Sequence, residues 1–301
     1  MALPSLAFVV ATKDRPAEIQ RLLRNLREQS RRPDLAVIVD SGTPPLSPAR
    51  LGEGGFPLVY ARCLPPSSAR QRNLGLAYIG PGFDLVGFLD DDTVFEPGAV
   101  EAMLDFWSSA GEDVGGAGFN LRNHPPSDFG GWKKTPFAEH LGLYRRKPGA
   151  VAPSGFQTLI GTVAETTEVE WLPTTAVVWR REVFERHRFD EWFRGYSYLE
   201  DLDFSYRVGR EKRLVVVAPA TYLHLQATGG RGNEFEFGRG EVRARFHFVD
   251  KHPGLSSLAC WTALGLRLGL SLAGMVRDAR PRFGLRVLGN LVGFAGRIAG
   301  C

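Results

Sequence analysis

The stretch DLVGFLDDDT, residues 84–93, joins an apolar run directly to three consecutive carboxylates. Residues 84–89 are typical of a strand that is buried on both faces of a parallel sheet, because such strands are apolar at successive rather than alternate positions. Asp90, Asp91 and Asp92 repel one another unless a cation neutralises them. The stretch therefore predicts a buried strand that ends at a site for a hard cation and phosphate groups.

Strand and helix patterns alternate on the N-terminal side of this stretch. Apolar runs predict strands at 6–11, 35–39 and 58–61, and helical patterns begin at Pro16 and cover 67–79. This alternation predicts a doubly wound α/β sheet. Polar residues follow three of its strands, at the edge where such sheets bind ligands: Thr12 to Arg15, Asp40, and Asp90 to Asp92. No glycine-rich dinucleotide or P-loop motif opens either helix.

The later sequence is less regular. Residues 123–168 are rich in Pro, Gly and Thr and predict a long loop region that shapes an acceptor cleft. Apolar runs at 176–179 and 214–218 predict further strands, the first followed by a helical pattern at 181–186 and the second by the segment 222–224.

Composition narrows the class of protein. The chain has 301 residues, 44% hydrophobic and 23% charged, which is ordinary for a globular enzyme. Three distant cysteines form neither a metal motif nor a disulfide framework, which favours a cytoplasmic location. The short run at 6–11 is a strand rather than a signal peptide. The net charge of +4 lies in residues 255–301, which hold six arginines and one aspartate, so no basic groove for nucleic acid is predicted.

Three further features carry candidate chemistry. Glu200, Asp201 and Asp203 lie beside aromatic residues, a setting that raises a carboxyl pKa and suits a general base. Taken alone, they are explained better as acids at a helix N-terminus, but the acidic run at 90–92 favours the general base. His224 follows a predicted strand and is able to complete a Mg²⁺ or Mn²⁺ shell, although a lone histidine is more often structural. Arg231, in the glycine-rich segment 227–232, is placed to close over a diphosphate.

These residues are compatible with two functions that need no sugar transfer: a phosphatase and a non-catalytic binding protein. Asp90-x-Asp92 after an apolar strand also resembles the nucleophile motif of haloacid-dehalogenase-like phosphatases, which normally lies on the first strand of that fold. A non-catalytic nucleotide-sugar-binding protein would have the same α/β sheet. The presence of two acidic sites, at residues 90–92 and 200–203, disfavours it.

The order of these motifs resembles glycosyltransferase family 2, inverting enzymes of the GT-A fold that include rhamnosyltransferase-like members. The resemblance covers residues 5–250 and rests on these segments: 9–16, 39–42, 70–75, 88–93, 171–183 and 200–203. It implies a Rossmann-like, nucleotide-sugar-binding mixed sheet flanked by helices. It also implies transfer of one sugar from a nucleotide-sugar donor to the hydroxyl of a saccharide or lipid-linked acceptor, in cell-envelope polysaccharide biosynthesis.

The resemblance also implies residue roles. The donor would contact Thr12, Arg15, Asp40, Arg72, Asp90 and Asp91, of which the first three lie near the nucleoside. Asp92 and His224 would ligate Mg²⁺ or Mn²⁺. Asp201 would be the catalytic base, supported by Glu200 and Asp203, and Trp171 and Asp203 would contact the acceptor. Lys13-Asp14 stands where many relatives have Tyr-Asn, which weakens the nucleoside assignments. The Gln-x-x-Arg-Trp motif of processive synthases is missing after His224, which favours addition of a single sugar over polymerisation.

The C-terminal residues predict a separate segment. We divide the chain into a catalytic domain, 1–254, and basic amphipathic helices in 255–301. Residues 255–276 are long enough to span a bilayer, but Arg267 near their middle costs about 2.5–3.5 kcal/mol on insertion. An interfacial helix on the anionic inner face of the plasma membrane is therefore predicted, with a second at 283–298. The alternative is a helical pair that packs on the catalytic domain or on a second subunit of a homo-oligomer.

Overall fold

The computed structural model describes residues 3–52, 55–124, 135–195, 197–227, 233–278 and 281–299. Arg231 and most of its glycine-rich segment lie outside these residues. The chain forms two compact units, the first from residues 1–126 and 160–230, the second from 127–159 and 231–301. The boundary predicted at residue 254 falls inside the second unit, so a separate catalytic domain ending there stays a prediction.

The first unit is built on one mixed sheet. Its strands are β1 (Leu6–Thr12), β2 (Leu35–Asp40), β3 (Leu58–Arg62), β4 (Leu85–Asp90), β5 (Thr93–Phe95), β6 (Val114–Leu121), β7 (Thr167–Val169), β8 (Ala176–Arg180) and β9 (Arg213–His224). Their order is β3-β2-β1-β4-β8-β6-β9-β5, and β7 also pairs with β9. The first four strands in this order run parallel, whereas β8 is antiparallel to both of its neighbours. The predicted mixed α/β sheet is confirmed.

Helices cover both faces of this sheet. The helices of the chain are α1 (Pro16–Glu28), α2 (Ser68–Leu76), α3 (Ala99–Ser109), α4 (Pro136–His140), α5 (Val183–Arg186), α6 (Glu200–Gly209), α7 (Glu234–Lys251), α8 (Ser257–Asp278) and α9 (Pro281–Ile298). Side chains of α1 and α3 pack with Phe8 and Val10 of β1 on one face. Those of α2, α5 and α6 pack with Val9 and Phe88 on the other. Because successive side chains of a strand point to opposite faces, one central strand serves both cores.

The strand register brings the predicted polar residues to one edge. In the pairing of β1 with its neighbours, Thr12 lies opposite Asp40 of β2, and Ala11 lies opposite Asp90 of β4. Because β1, β2 and β4 are parallel, their carboxyl ends coincide. The site is therefore formed where three buried strands end together.

Several elements differ from the sequence-based expectation. β5, β6, α3 and α7 were not predicted, and the two segments expected at 214–218 and 222–224 form one strand, β9. β6 escapes an apolar pattern because it is rich in glycine. A Cβ at Gly116 would lie 2.4 Å from the ring of Trp179 in β8, so the missing side chain makes room for that indole. The predicted loop region, 123–168, contains α4 and the start of β7 among its described residues.

The second unit consists of α4, α7, α8, α9 and the segments between them. Glu241 of α7 is buried and forms ion pairs with Arg267 of α8, at 2.9 Å, and with Arg286 of α9, at 3.1 Å. Arg267 therefore packs inward on another helix of its own unit, contrary to a lipid-facing position for that side chain. Among the described residues, no helix combines the length and the apolar character needed to cross a membrane.

Candidate active site

Asp92 lies beside His224 in the first unit. Asp92 occupies the turn between β4 and β5, and the pairing of Thr93 with His224 in the β5–β9 ladder fixes their proximity. The Asp92 Oδ1 atom is 3.0 Å from His224 Nε2, and its Oδ2 accepts a hydrogen bond from the amide of Ala227 at 2.8 Å. Although burial favours the neutral acid, His224, this amide and Arg15 hold the pKa of Asp92 below its usual value.

A divalent ion fits this arrangement. Asp90, Asp92 and His224 each offer one ligand atom, and these atoms lie within 4.8 Å of one another. Two carboxylate oxygens and one imidazole nitrogen are suitable donors for Mn²⁺, and carboxylates with substrate phosphates suit Mg²⁺. The structure thus adds Asp90 to the pair predicted from the sequence.

Asp91 is held by residues of the β1–α1 turn. Its Oδ2 accepts a hydrogen bond from Thr12 Oγ1 at 2.6 Å, and its Oδ1 accepts one from Arg15 Nη1 at 2.9 Å. Burial raises the pKa of Asp91 to about 6, against the opposing effects of Thr12 and Arg15. Arg15 Nη2 also donates to the carbonyl of Ala227 at 2.8 Å. Thr12 and Arg15, which are expected to contact the nucleoside, thus donate hydrogen bonds to Asp91. Their contacts with the sugar donor stay predictions.

Asp40 has no exposed surface. Its Oδ1 accepts from the Gly42 amide at 2.6 Å, and its Oδ2 accepts from the Leu46 amide and Tyr60 hydroxyl, each at 2.9 Å, and from Arg62. Against the effect of burial, these donors lower the pKa of Asp40. Both oxygens of Asp40 have protein donors, and the residue lines one wall of the adjacent cavity. Its expected contact with the nucleoside stays a prediction.

That cavity lies between the start of α1 and the segment after β2. Its volume is about 530 Å³, and its lining mixes apolar and polar side chains: Asp14, Pro16, Ile19, Gln20, Asp40, Thr43, Pro44, Pro45, Leu46, Ser47 and Leu51. A concave surface that combines apolar walls with polar groups is typical of a small-molecule site.

Arg72 connects the acidic run to the start of α6. Its Nη2 donates to Asp90 Oδ1 at 3.2 Å, and its Nη1 donates to Glu200 Oε1. The Arg72 side chain is 5% exposed. Two carboxylates from distant parts of the sequence therefore share one buried guanidinium. The donor contact predicted for Arg72 stays a prediction, because both terminal nitrogens already have protein partners.

The pair Glu200 and Asp201 begins α6 after an unusual backbone conformation. Leu199 has φ +75°, in the left-handed region, and Asp201 Oδ1 accepts from the amide of Leu202 at 2.8 Å. Burial raises the pKa of Asp201 and raises that of Glu200 to about 8, although Arg72 opposes both shifts. The arrangement supplies two adjacent carboxyls whose raised pKa values favour proton uptake.

The two predicted acceptor contacts do not open onto solvent. Asp203 is fully buried and pairs with Arg207 at 3.0 Å, four residues along α6. This pair supports α6, and the predicted contacts of Asp203 with an acceptor and with Asp201 stay predictions. Trp171 is 6% exposed. Its acceptor role stays a prediction.

Sequence reasoning missed three residues that shape this edge. Gln71 Nε2 donates to the carbonyls of Thr12 and Val39, at 2.9 and 2.7 Å, at the carboxyl ends of β1 and β2. Asn123 exchanges hydrogen bonds with the backbone of His224, and Tyr60 completes the Asp40 network. Gln71 stands between Arg70 and Arg72 in the sequence, so no local pattern marked it as buried.

Comparison with known proteins gives a family and a fold. The family model for Glycosyl transferase family 2 matches residues 7–161, half of the chain. Three solved structures resemble this one: a mannosyltransferase from Pyrobaculum calidifontis in complex with GDP-Man and Mn²⁺, S. aureus TarS 1–349 in complex with UDP-GlcNAc, and GalNAc-T7 with UDP, GalNAc and Mn²⁺. A search of curated protein sequences found no significant match.

These likenesses are distant in sequence. The mannosyltransferase is 13% identical, with TM-score 0.56 over 98% of this chain and 88% of its own. TarS 1–349 is 14% identical, with TM-score 0.57 over 93% and 78%. GalNAc-T7 is 12% identical, with TM-score 0.57 over 80% and 48%. The match to another S. aureus TarS structure spans 39% of that chain. At these identities the structures show a shared GT-A fold.

Proposed function

Because this chain belongs to glycosyl transferase family 2, we propose that it transfers one sugar from a nucleotide-sugar donor to an acceptor hydroxyl with inversion at the anomeric carbon. The observation that carries the proposal is the bridge made by Arg72, which contacts Asp90 of the candidate metal cluster and Glu200 beside the candidate base. Arg72 thereby connects the proposed diphosphate site at Asp90 with the proposed general base beside Glu200. Family membership also removes the ground for the phosphatase interpretation.

Asp201 is the proposed general base. It takes the proton of the acceptor hydroxyl while that oxygen forms a bond to the anomeric carbon. The bond from that carbon to the diphosphate oxygen breaks, and the nucleoside diphosphate leaves with the electron pair. Attack from the opposite face inverts the configuration in one displacement. The burial that raises the pKa of Asp201 makes its carboxylate a stronger base than an exposed aspartate.

Asp90, Asp92 and His224 are the proposed holders of Mg²⁺ or Mn²⁺. When bound, the ion neutralises charge on the leaving diphosphate. Arg15 supports this region, because its guanidinium lies 2.9 Å from Asp91 Oδ1 and 3.6 Å from Asp92 Oδ2 and reduces the repulsion within the acidic run. The two structural neighbours described with Mn²⁺ support a metal-dependent reaction.

The donor and acceptor are proposed only as classes. The cavity beside Asp40 is the proposed nucleoside site, and its apolar walls suit the flat face of a base. The proposed acceptor is a saccharide or lipid-linked hydroxyl of the cell envelope, extended by a single sugar.

Calorimetry with UDP-, GDP- and dTDP-sugars, each with and without Mn²⁺, tests the proposal. We expect one of them to bind, and to bind more tightly with the ion. Asp201→Asn should keep this binding but lose transfer by about 10²–10⁴-fold, the usual contribution of a positioned general base. Full transfer by that variant would reject the base, and no binding of any donor would reject the function.

A further inference from the structure

The second unit buries charged and polar side chains within its core and exposes leucines on its outer helices. At the centre of its helices, Glu241 and Arg245 are each 1% exposed and Asn290 is 7% exposed. On the outside of α9, Leu285 and Leu288 are 53% and 51% exposed. Helices that face water normally place leucine inside and charge outside. The outer face of these helices is therefore suited to an apolar surrounding.

Ion pairs and hydrogen bonds organise the charged interior of this unit. Glu241 contacts arginines from two other helices, and these pairs hold its pKa below the usual value despite burial. Arg245 donates to the carbonyl of Gly155 and to Gln157 Oε1, and its guanidinium lies 4.2 Å from the centre of the Phe156 ring. A network with this many partners fixes which helix faces point inward. The leucines are thus held outward by the packing itself.

Exposed apolar side chains concentrate in this unit. Of the 16 large apolar residues that are exposed among the described residues, 12 lie in the second unit, which is about one third of the chain. Nine of these 12 are leucines and one is aromatic: Phe137, Leu141, Leu159, Leu258, Leu266, Leu270, Leu272, Leu285, Leu288, Leu291, Val292 and Ile298. Protein interfaces are enriched in Trp, Tyr and Arg at their energetic centres, with leucine under-represented, so this composition favours a lipid surface.

The two units also differ in net charge. The second unit contains 16 Lys and Arg against 7 Asp and Glu, a net charge of +9, whereas the first unit carries −5. An excess of basic residues beside exposed aliphatic side chains is typical of segments that lie on anionic bilayers.

We propose that the second unit docks on the surface of an anionic membrane through the exposed leucines of α8 and α9. The proposal does not depend on the reaction catalysed by the first unit. It extends the interfacial helices predicted in residues 255–301 to the whole second unit. The docking surface now belongs to a unit whose arginines 267 and 286 hold helices together.

Flotation of the full chain with vesicles tests this surface. We expect recovery with phosphatidylcholine–phosphatidylglycerol vesicles and much lower recovery with phosphatidylcholine alone. The double variant Leu285→Ser/Leu288→Ser should reduce partitioning by about tenfold or more, because two half-exposed leucines no longer enter the bilayer. The matched control Leu64→Ser/Tyr78→Ser changes residues 58% and 48% exposed in the first unit and should partition like the unmodified chain.

Three results would overturn the proposal: absence of the unmodified chain from both vesicle fractions, equal recovery with both vesicle types, and equal losses in the two double variants. A second copy of the chain is the rival occupant. If light scattering shows a dimer that Leu285→Ser/Leu288→Ser converts to a monomer, and vesicles recover neither protein, the surface is an interface between copies. Thermal unfolding checks that the variant folds, and Leu266→Ser/Leu270→Ser on α8 replaces it if it does not.

Discussion

Asp40 and Asp92 both follow buried parallel strands at the same edge of the sheet, yet their surroundings differ. Asp40 is fully buried and receives hydrogen bonds from two backbone amides, a tyrosine and an arginine. Asp92 lies beside a second carboxylate and a histidine, in a cluster with the donor set of a metal site. A carboxylate whose oxygens accept hydrogen bonds from the protein stabilises the fold, whereas one that lies beside other metal-binding side chains is placed to bind a cation.

The largest effect should come from Asp92→Asn. The amide loses the charge that a divalent ion requires, and we expect kcat/KM to fall by at least about 100-fold, near 3 kcal/mol of transition-state stabilisation. The free energy of unfolding should change little. Transfer assays, Mn²⁺ titration and urea denaturation check this together. Normal Mn²⁺ affinity with lowered stability would show that Asp92 resembles Asp40 after all.

Asp40→Asn should give the opposite result. Its amide cannot accept from all four donors, and the partial exposure of Arg62 moderates the loss, so we expect the free energy of unfolding to fall by about 2–3 kcal/mol. The folded variant should retain Mn²⁺ affinity. Denaturant titration of both variants measures the difference. A large loss of transfer without loss of stability would assign Asp40 to the chemistry.

Arg72→Lys should have a smaller effect. The ammonium keeps the charge but cannot contact Asp90 and Glu200 with two nitrogens in a fixed fork, so we expect kcat to fall about tenfold, or 1.4 kcal/mol. Arg70→Lys on the same helix is the matched control, because Arg70 is 41% exposed and lies 3.6 Å from Glu191. Equal activities of the two variants would contradict a positioning role for Arg72.

The smallest effect should appear in the pH dependence. Burial raises the pKa of Asp201, so transfer should decline in acid through a pKa above the ordinary aspartate value of about 3.9. The pKa of Asp40 is lowered, so its contribution to stability is present above that ordinary value and is lost as the pH falls through the lowered pKa. Activity should therefore disappear at a higher pH than the Asp40 contribution. Rate profiles and denaturation at matched pH test this order, which coincident losses would contradict.

The sequence predicted the described strands that contain apolar runs: β1 to β4, β8 and part of β9. β1, β2, β3 and β4 are buried strands in parallel, and an apolar pattern is sufficient to reveal them. β6 was missed because Gly116 leaves room for the Trp179 ring on the neighbouring strand β8, and a local sequence pattern contains no information on that contact. Apolar patterns therefore predict strands with apolar side chains, but not strands whose composition depends on packing against a neighbouring strand.

Within the site, the sequence identified candidate residues by type and order but did not identify their partners. Asp92 lies beside His224, and Glu200 pairs with Arg72. Asp40 has the same carboxylate chemistry as Asp92 but accepts hydrogen bonds from Tyr60 and Arg62, 20 and 22 residues further along the chain. Such partners become visible only when the fold brings them into contact.

The glycines at the crossing of α7 and α9 constrain how this chain is able to diverge. A Cβ at Gly289 would lie 2.1 Å from the carbonyl oxygen of Phe235, and one at Gly238 would lie 2.3 Å from that of Arg286. Backbone atoms cannot rotate aside as side chains do, so neither position accepts alanine without separating the helices. Leu285 and Leu288 are under no such steric limit. Among descendants of this chain, the Gly289-x-x-x-Gly293 spacing should persist after the leucines beside it have been exchanged for other apolar residues.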